Sequence, residues 1–484
     1  MWAKRDGWQY LVGQSHMTNY LRQLLLSSAA VVLLAQPVAA ETLREAMALA
    51  YEGNPNLRAA RAQLRAVDEN VPIALSGWRP SLSVTGNASR NRNESEIISQ
   101  GSSGGPVNQS GMTLRTQQTL NAQVTQPLFR GFRTVASTAQ ARNQVMAQRA
   151  RLEATESQVL LQVATAYLDV LQFQAVVELQ RNNVQVLSRQ LDATNDRFRV
   201  GEITRTDVAQ SEASLAASRA SLVQAESSLQ LARSAYLNVV GKVPEGLVQP
   251  MAPANLPATL EAAINIAMEQ NPNYLVADYT AKAAGDNVTV VQGELLPTVN
   301  LNATYQRGWN TLADKSRNEQ AVASAQVVVP LYQQGAEYAR LRQAKHVSGQ
   351  QSLLADQARL DARNTATAAW ENYQSATASI ESYRSAIAAN TIALEGTRRE
   401  AEVGSRTVLD VLNAEQLFLG VQVALVRAQR DQLVAAHQIL SAVGQLTGPD
   451  LMLETPFYDP VAHFDDVQYK PFGSDAAAGT DKRQ

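Results

Sequence analysis

The sequence predicts a mixed α/β membrane protein built from one unit, strand–strand–long helical hairpin, written twice. Three observations predict it: a ten-residue corner that recurs, heptad-spaced apolar rows on either side of it, and alternating runs ahead of each heptad stretch. The corner reads RVGEITRTDV from Arg199 to Val208 and EVGSRTVLDV from Glu402 to Val411. Both carry Val-Gly, a Thr three residues after the Gly, then Asp-Val.

The duplication extends over most of the chain. Thr42-Leu43, Asn54-Pro55-Asn56 and Pro80 match Thr259-Leu260, Asn271-Pro272-Asn273 and Pro297 at an offset of 217. Pro127-Leu128, Val200-Gly201, Asp207, Glu212 and Gly241 match Pro330-Leu331, Val403-Gly404, Asp410, Glu415 and Gly444 at an offset of 203. The first copy therefore holds an insertion of 14 residues between Pro80 and Pro127, where SQGSSGGPVNQSG (99–111) reads as a Gly/Ser/Asn-rich loop. Repeats this long are not solenoid units. The predicted division is a leader over 1–40, repeat 1 over 41–248, repeat 2 over 249–448 and a tail over 449–484, disordered at its end.

The leader has one Arg after Met17, an apolar run from Leu24 to Leu34, and small residues at Val38 and Ala40, which predicts cleavage before Glu41 and export. Met17 opens a leader of ordinary shape, so the start is Met1 or Met17. No later run approaches 18 consecutive apolar residues, and no transmembrane helix is expected. Charged residues make up 18% and the formal net charge is −2, which gives no basic footprint for nucleic acid. Zero Cys excludes disulfides, thiolate metal sites and N-terminal Cys lipidation, and the four scattered His predict no metal site.

Val159, Val163, Ala166, Val170, Phe173 and Val177, then Val184, Leu187, Leu191 and Phe198, alternate gaps of four and three as a heptad seam does. A helix from about 132 to 198 would reach roughly 100 Å. After the corner, Val208, Leu215, Leu222, Leu229 and Tyr236 recur every seven residues beside the smaller Ser211, Ser218, Ala225, Ala232 and Val239. Repeat 2 matches with Val411, Phe418, Leu425, Gln432 and Ile439 beside Ala414, Val421, Ala428, Ala435 and Ala442. Each repeat thus contains a long helical hairpin whose turn is the corner.

Before each hairpin the period drops to two. Leu82, Val84 and Ala88, then Leu120, Ala122 and Val124, alternate with polar residues; so do Val299, Leu301, Ala303 and Tyr305, then Ala323, Ala325, Val327 and Val329. The runs are about ten residues, with Trp78, Phe129, Tyr305, Trp309 and Tyr332 flanking them as candidate membrane-interface aromatics. On strand pattern alone a soluble hairpin is the favoured reading. Export and the lack of a core for a soluble sheet favour a barrel. Four strands cannot close one, and open edges are not tolerated in lipid. Two chains would give eight strands with a filled interior and three would give twelve with a lumen, so a homotrimer is favoured.

The leader, the duplicated unit, NPN near each repeat start, QPLF and VPLY ahead of the helices, and the two Val-Gly corners resemble the TolC family over about 41–448. The resemblance implies a twelve-stranded outer-membrane barrel continued by a periplasmic α-helical barrel, in the outer membrane of a Gram-negative bacterium. It implies an exit duct for type I secretion, multidrug efflux or both, opened at its periplasmic tip. The partners implied are a periplasmic adaptor (membrane fusion protein) and an inner-membrane transporter, ABC or proton-driven; no cofactor is implied. Val200, Gly201, Val403 and Gly404 align with the adaptor-docking tips, and Asp410 and Asn413 with the pore constriction. Arg406, with Thr206 and Asp207 across the hairpins, aligns with the links that hold the tip shut. The family's second constriction acid is an amide here, and its tip Tyr is Ala401. The extended tail resembles the secretion-type branch.

The same corners have plainer readings. Thr204 to Asp207 and Thr407 to Asp410 have capping-box spacing, and each Gly suits a left-handed turn. Two rival functions remain. An enzyme lacks any motif here: GKV at Gly241–Val243 is not a phosphate loop, and no nucleophile elbow occurs. A periplasmic coiled-coil scaffold or adaptor without a barrel would use the same heptads but needs no alternating strands.

Overall fold

The computed structural model describes residues 41–100 and 106–474; the leader and the end of the tail lie outside them. Repeat 1 opens with α1 (Leu43–Gly53), α2 (Pro55–Asp68) and α3 (Asn70–Leu75), followed by β1 (Ser81–Gln100) and β2 (Pro106–Arg130). Its hairpin is α4 (Arg133–Arg199) and α5 (Arg205–Val240). Repeat 2 follows the same order with α6 (Leu260–Gln270), α7 (Pro272–Gln292), β3 (Thr298–Trp309) and β4 (Arg317–Val328). Its hairpin is α8 (Ala336–Glu402) and α9 (Val408–Ala442), and α10 (Ala462–Val467) lies in the tail. Helices α4 and α8 each run 67 residues, which at 1.5 Å per residue is about 100 Å, as the heptads predicted.

The NPN motif has the same role in both repeats. Asn54 and Asn271 cap the helices that begin at Pro55 and Pro272, accepting from the amides of Asn56 (2.9 Å) and Asn273 (3.0 Å). Their side-chain amides donate to the last carbonyls of the return helices, Asn54 to Val239 (3.1 Å) and Asn271 to Ala442 (2.9 Å). One side chain thus starts a helix and ties it to the end of the hairpin.

The largest buried cluster lies where α1, α2, α4 and α5 meet, around Leu57, Leu64, Leu160, Val163, Tyr167 and Tyr236. The Tyr167 hydroxyl lies 2.7 Å from the carbonyls of Glu41 and Val248, and burial pushes this phenol up to about 12. Helix α4 packs against α1, α2, α3, α5, α7 and α9, whereas α8 packs against α6, α7 and α9. The buried side of α8 is accordingly a narrow seam of Ala355, Ala362, Ala369 and Ala376, seven residues apart, where small side chains let helices approach closely. Helices α4 and α9 do contain eighteen-residue windows apolar enough to cross a bilayer by length and composition, which corrects the expectation of none. The α4 window is 50% buried against its neighbours, as a packing helix requires.

The tail forms a strap over repeat 1. The buried Gly448 amide donates to Glu156 (2.6 Å), the Tyr458 amide to the Tyr51 hydroxyl (3.2 Å), and His463 Nδ1 lies 3.1 Å from Asp68. Burial raises the Glu156 and Asp68 carboxyls above their ordinary range. At the far end Arg79 donates to the carbonyls of Tyr469 and Lys470, both at 3.2 Å, fastening the strap beside the foot of β1.

The described strands form one antiparallel sheet in the order β1-β2-β3-β4. Strands β1 and β2 are 20 and 25 residues long, at least twice the expected ten, while β3 and β4 have 12 each. The insertion is thus not simply a loop. Ser99, Gln100 and 106–111 belong to strands, and backbone pairing does not need an apolar period. Val329 lies just beyond β4, and Tyr305 lies inside β3 rather than at its end.

Candidate functional site

Two regions carry the predicted site residues: the far ends of the hairpins and the sheet. At each end the first helix closes with the same pair of backbone bonds. Gly201 N–H donates to Phe198 O (3.0 Å) and Glu202 N–H to Arg197 O (3.0 Å); Gly404 and Ser405 do the same to Ala401 (3.2 Å) and Glu400 (2.9 Å). This is the Schellman arrangement, and Gly201 and Gly404 take φ of +79° and +80° to make it. The preceding valines project outward: Val200 is 78% and Val403 80% exposed.

Both capping boxes form. Asp207 accepts from the Thr204 amide (3.0 Å) and hydroxyl (2.7 Å), and Asp410 from those of Thr407 (3.0 and 2.8 Å). The Thr hydroxyl and amide bonds hold both carboxyls below their ordinary range. Asp410 and Asn413, three residues apart on α9, share one face, Asp410 half-buried and Asn413 exposed.

Within one chain Arg406 Nε pairs with Glu400 (3.0 Å), not with Asp207, and the exposed Thr206 has no side-chain bond to either. The other tip has a pair of reversed polarity, Arg197 with Glu202 (2.8 Å). Sequence reading missed both, although the residues were legible, because a pair across a turn depends on where the turn ends. Just above the tips the hairpins touch through Leu187 and Leu215 against Val408 and Leu412. A third missed pair is Arg398 with the buried Glu415, which locks α8 to α9. Among the described residues no group of His, Asp or Glu has the makings of a metal site.

Register assigns every strand residue to a face, since directly paired residues point the same way. One face carries the rows Leu82–Val124–Ala303–Ala323 and Val84–Ala122–Tyr305–Ala321. Below them Gln126–Leu301–Ala325 and Phe129–Val299–Val327 follow, and a bulge at Leu128 is what brings Phe129 opposite Val299. The other face carries Ser81–Thr125–Asn302–Ser324, Ser83–Gln123–Thr304–Val322 and Thr85–Asn121–Gln306–Gln320, with no charge. On β3 the apolar-face Leu301, Ala303 and Tyr305 are exposed and Val299 is half-buried, the polar-face Asn302 and Thr304 are half-buried and Gln306 is exposed, and β4 is exposed on both faces, so no apolar row is buried. That is the reverse of a soluble sheet.

Trp78, in the turn before β1, Phe129, packed on Phe132 at 5.2 Å, and Tyr332, beyond β4, lie at the helix-proximal end of the sheet. Trp309 ends β3 at the opposite end, with Tyr305 four residues before it. The free edges are β1 and β4, whose outer N–H and C=O groups pair with no strand among the described residues.

The model of the outer membrane efflux protein family matches residues 46–242 and 263–445, one segment for each strand–strand–hairpin unit. The chain is 36% identical to the outer membrane efflux protein BepC of Brucella suis over 444 residues, covering 91% of this chain and 94% of that one. It is 28% identical to the outer membrane protein TolC of Vibrio cholerae, covering 88% and 96%. The solved structure of the outer membrane protein VceC from Vibrio cholerae has the same fold, with a TM-score of 0.71 at 21% identity over 83% of this chain and 96% of that one.

Proposed function

This chain belongs to the outer membrane efflux protein family, and on that premise we propose that three copies close into one passive export duct. The four-stranded sheets join edge to edge into a twelve-stranded barrel, wide enough for a lumen. The helical hairpins continue the duct into the periplasm. The observation that carries this reading is the sheet: none of its apolar rows is buried, its other face is polar, and neither edge has a partner strand among the described residues. Lipid tolerates no open edge, so a second and third copy must cover β1 and β4. A periplasmic scaffold has no use for an outward apolar face.

The tips would then be the gate. Asp410 from three chains would gather round the axis, repelling one another and attracting cations. Asn413 adds no charge, so there is one ring rather than two. Val200, Gly201, Val403 and Gly404 offer the adaptor a rigid turn with a bare Val. The transporter supplies energy and chooses the cargo, for protein secretion or drug efflux.

Outer membranes extracted in mild detergent should yield trimers that resist heating and conduct in planar bilayers; a water-soluble monomer would sink the proposal. Asp410→Ala in the purified channel should lower the cation-to-anion permeability ratio several-fold, because three carboxylates leave together. An unchanged ratio would remove Asp410 from the pore ring.

Arg406 holds Glu400 in the single chain, and in the trimer it would exchange this partner for Asp207 on a neighbouring hairpin. Arg406→Ala is expected to raise the open probability in bilayers, with Arg406→Lys intermediate, since a point charge replaces the forked guanidinium. Equal gating in all three would show that Arg406 does not restrain the tip.

A further inference from the structure

The apolar face of the sheet does not stay apolar to its distal end. On that same face the next positions are Arg307, level with Gly86 and Leu120, and Arg317, level with Trp309, Gln118 and Ala88. Two and four residues beyond Ala88 on β1 come Arg90 and Arg92. The opposite face of the same strands carries Asn87, Ser89, Asn91 and Asn93 on β1 and Asn318 on β4, with no charge at these positions. Among the described residues the one cation on that opposite face at this end of the sheet is Arg115 of β2, in register with Asn91, and it is held by the carbonyls of Thr311 and Leu312. The outward face carries Arg307, Arg317, Arg90 and Arg92 beside the acids Glu319, Glu94 and Glu96, and these charges begin one row before Trp309, where an interface aromatic would sit.

The cations are not equally engaged. Arg307 stacks over the Trp309 ring at 5.3 Å and is paired in register with Glu319, which also bonds the Tyr305 hydroxyl. Arg92 lies 3.6 Å from Glu94. Arg90 and Arg317 form no ion pair among the described residues. Arg90 is on edge strand β1 and Arg317 on edge strand β4. When a barrel closes, β4 of one copy lies about 4.8 Å from β1 of the next. The two unengaged cations then flank the same seam, on the lipid side, each supplied by a different copy.

We propose that this seam binds the phosphate group of an outer-leaflet glycolipid, held between Arg317 of one copy and Arg90 of the next, with Trp309 at the boundary of its acyl chains. The inference rests on the trimeric-barrel reading above. Guanidinium forks match phosphate oxygens in pairs, and the apolar rows directly below would accept the chains of the same molecule. That combination selects a phosphorylated lipid over a free anion.

The test uses the purified full-length trimer in detergent, titrated separately with lipid A, fully dephosphorylated lipid A and inorganic phosphate. Trimer melting and lipids retained in native mass spectrometry are read. Lipid A is expected to raise the melting temperature and to remain bound, while the other two leave both unchanged. The double variant Arg90→Gln/Arg317→Gln should lose the lipid A shift, and Arg90→Lys/Arg317→Lys should keep part of it. Both should still reach the outer membrane and conduct, because the two side chains are exposed and unbonded. An equal shift with dephosphorylated lipid, an equal shift with inorganic phosphate, or an undiminished shift in the Gln variant overturns the site. Loss of the trimer in the unaltered chain would instead overturn the barrel reading.

Discussion

Val84→Arg is expected to abolish the heat-resistant trimer in outer-membrane fractions, with the protein degraded or left in the periplasm. Val84 is 62% exposed, and its row continues through Ala122, Tyr305 and Ala321, in the middle of the apolar face. An Arg at the midplane of a membrane barrel costs about 2–4 kcal/mol, and every trimer would carry three. The neighbouring Thr85→Arg points to the polar face, which the proposal places in water, and should be tolerated. Quantitative immunoblotting of membrane and soluble fractions separates the two. If Val84→Arg inserts as well as Thr85→Arg, this face does not meet lipid and the barrel assignment fails.

The second large effect is expected at the junction between sheet and helices. Gly131, at the end of β2, has φ of +60°, and a Cβ there would lie 2.4 Å from the Gly293 carbonyl oxygen and 2.9 Å from the Leu296 Cβ. Gly293 is the reciprocal partner, since its own Cβ would meet the Gly131 oxygen at 2.4 Å. The corner that leads into α4 and the corner that leads into β3 therefore touch backbone to backbone, one from each repeat. Gly131→Val should cost about 1–2 kcal/mol for the left-handed conformation. Forcing two backbones apart adds roughly 1–3 kcal/mol. The expected readout is a trimer melting several degrees lower, or none recovered. Gly396→Ala in α8 is the control: nothing lies within 4 Å of its added methyl, and a mid-helix Ala is the better helix former. Equal melting of the two variants would show that the junction is not under this constraint.

Much of the tip was legible before any fold was known. A Thr with an Asp three residues on is a capping box in any context, and a Gly after a long heptad helix is a left-handed turn. Both are decided by atoms within six residues, and both form here. What the tip does with its charges was not legible in the same way. Arg406 is drawn to Glu400 at the end of α8, and Arg197 to Glu202, because the turn folds those groups back on one another. The NPN motif was visible as a repeat marker, yet its grip on Val239 and Ala442 joins residues 185 and 171 positions apart. Strand lengths in repeat 1 escaped for a different reason. Beyond Ala88 neither face is apolar, so a period of two leaves no trace in hydropathy even though the ladder continues to Gln100.

The sequence by itself determined the duplication, the two long hairpins and their corners, and the alternation that splits each strand into two faces, since all of these are set by local spacing and backbone preference. Only the tertiary structure decided that the apolar rows of the sheet stay unburied, which strands are left as edges, and how the repeats meet at Gly131 and Gly293. These are properties of surfaces assembled from residues far apart in the chain, and no window of neighbouring residues contains them.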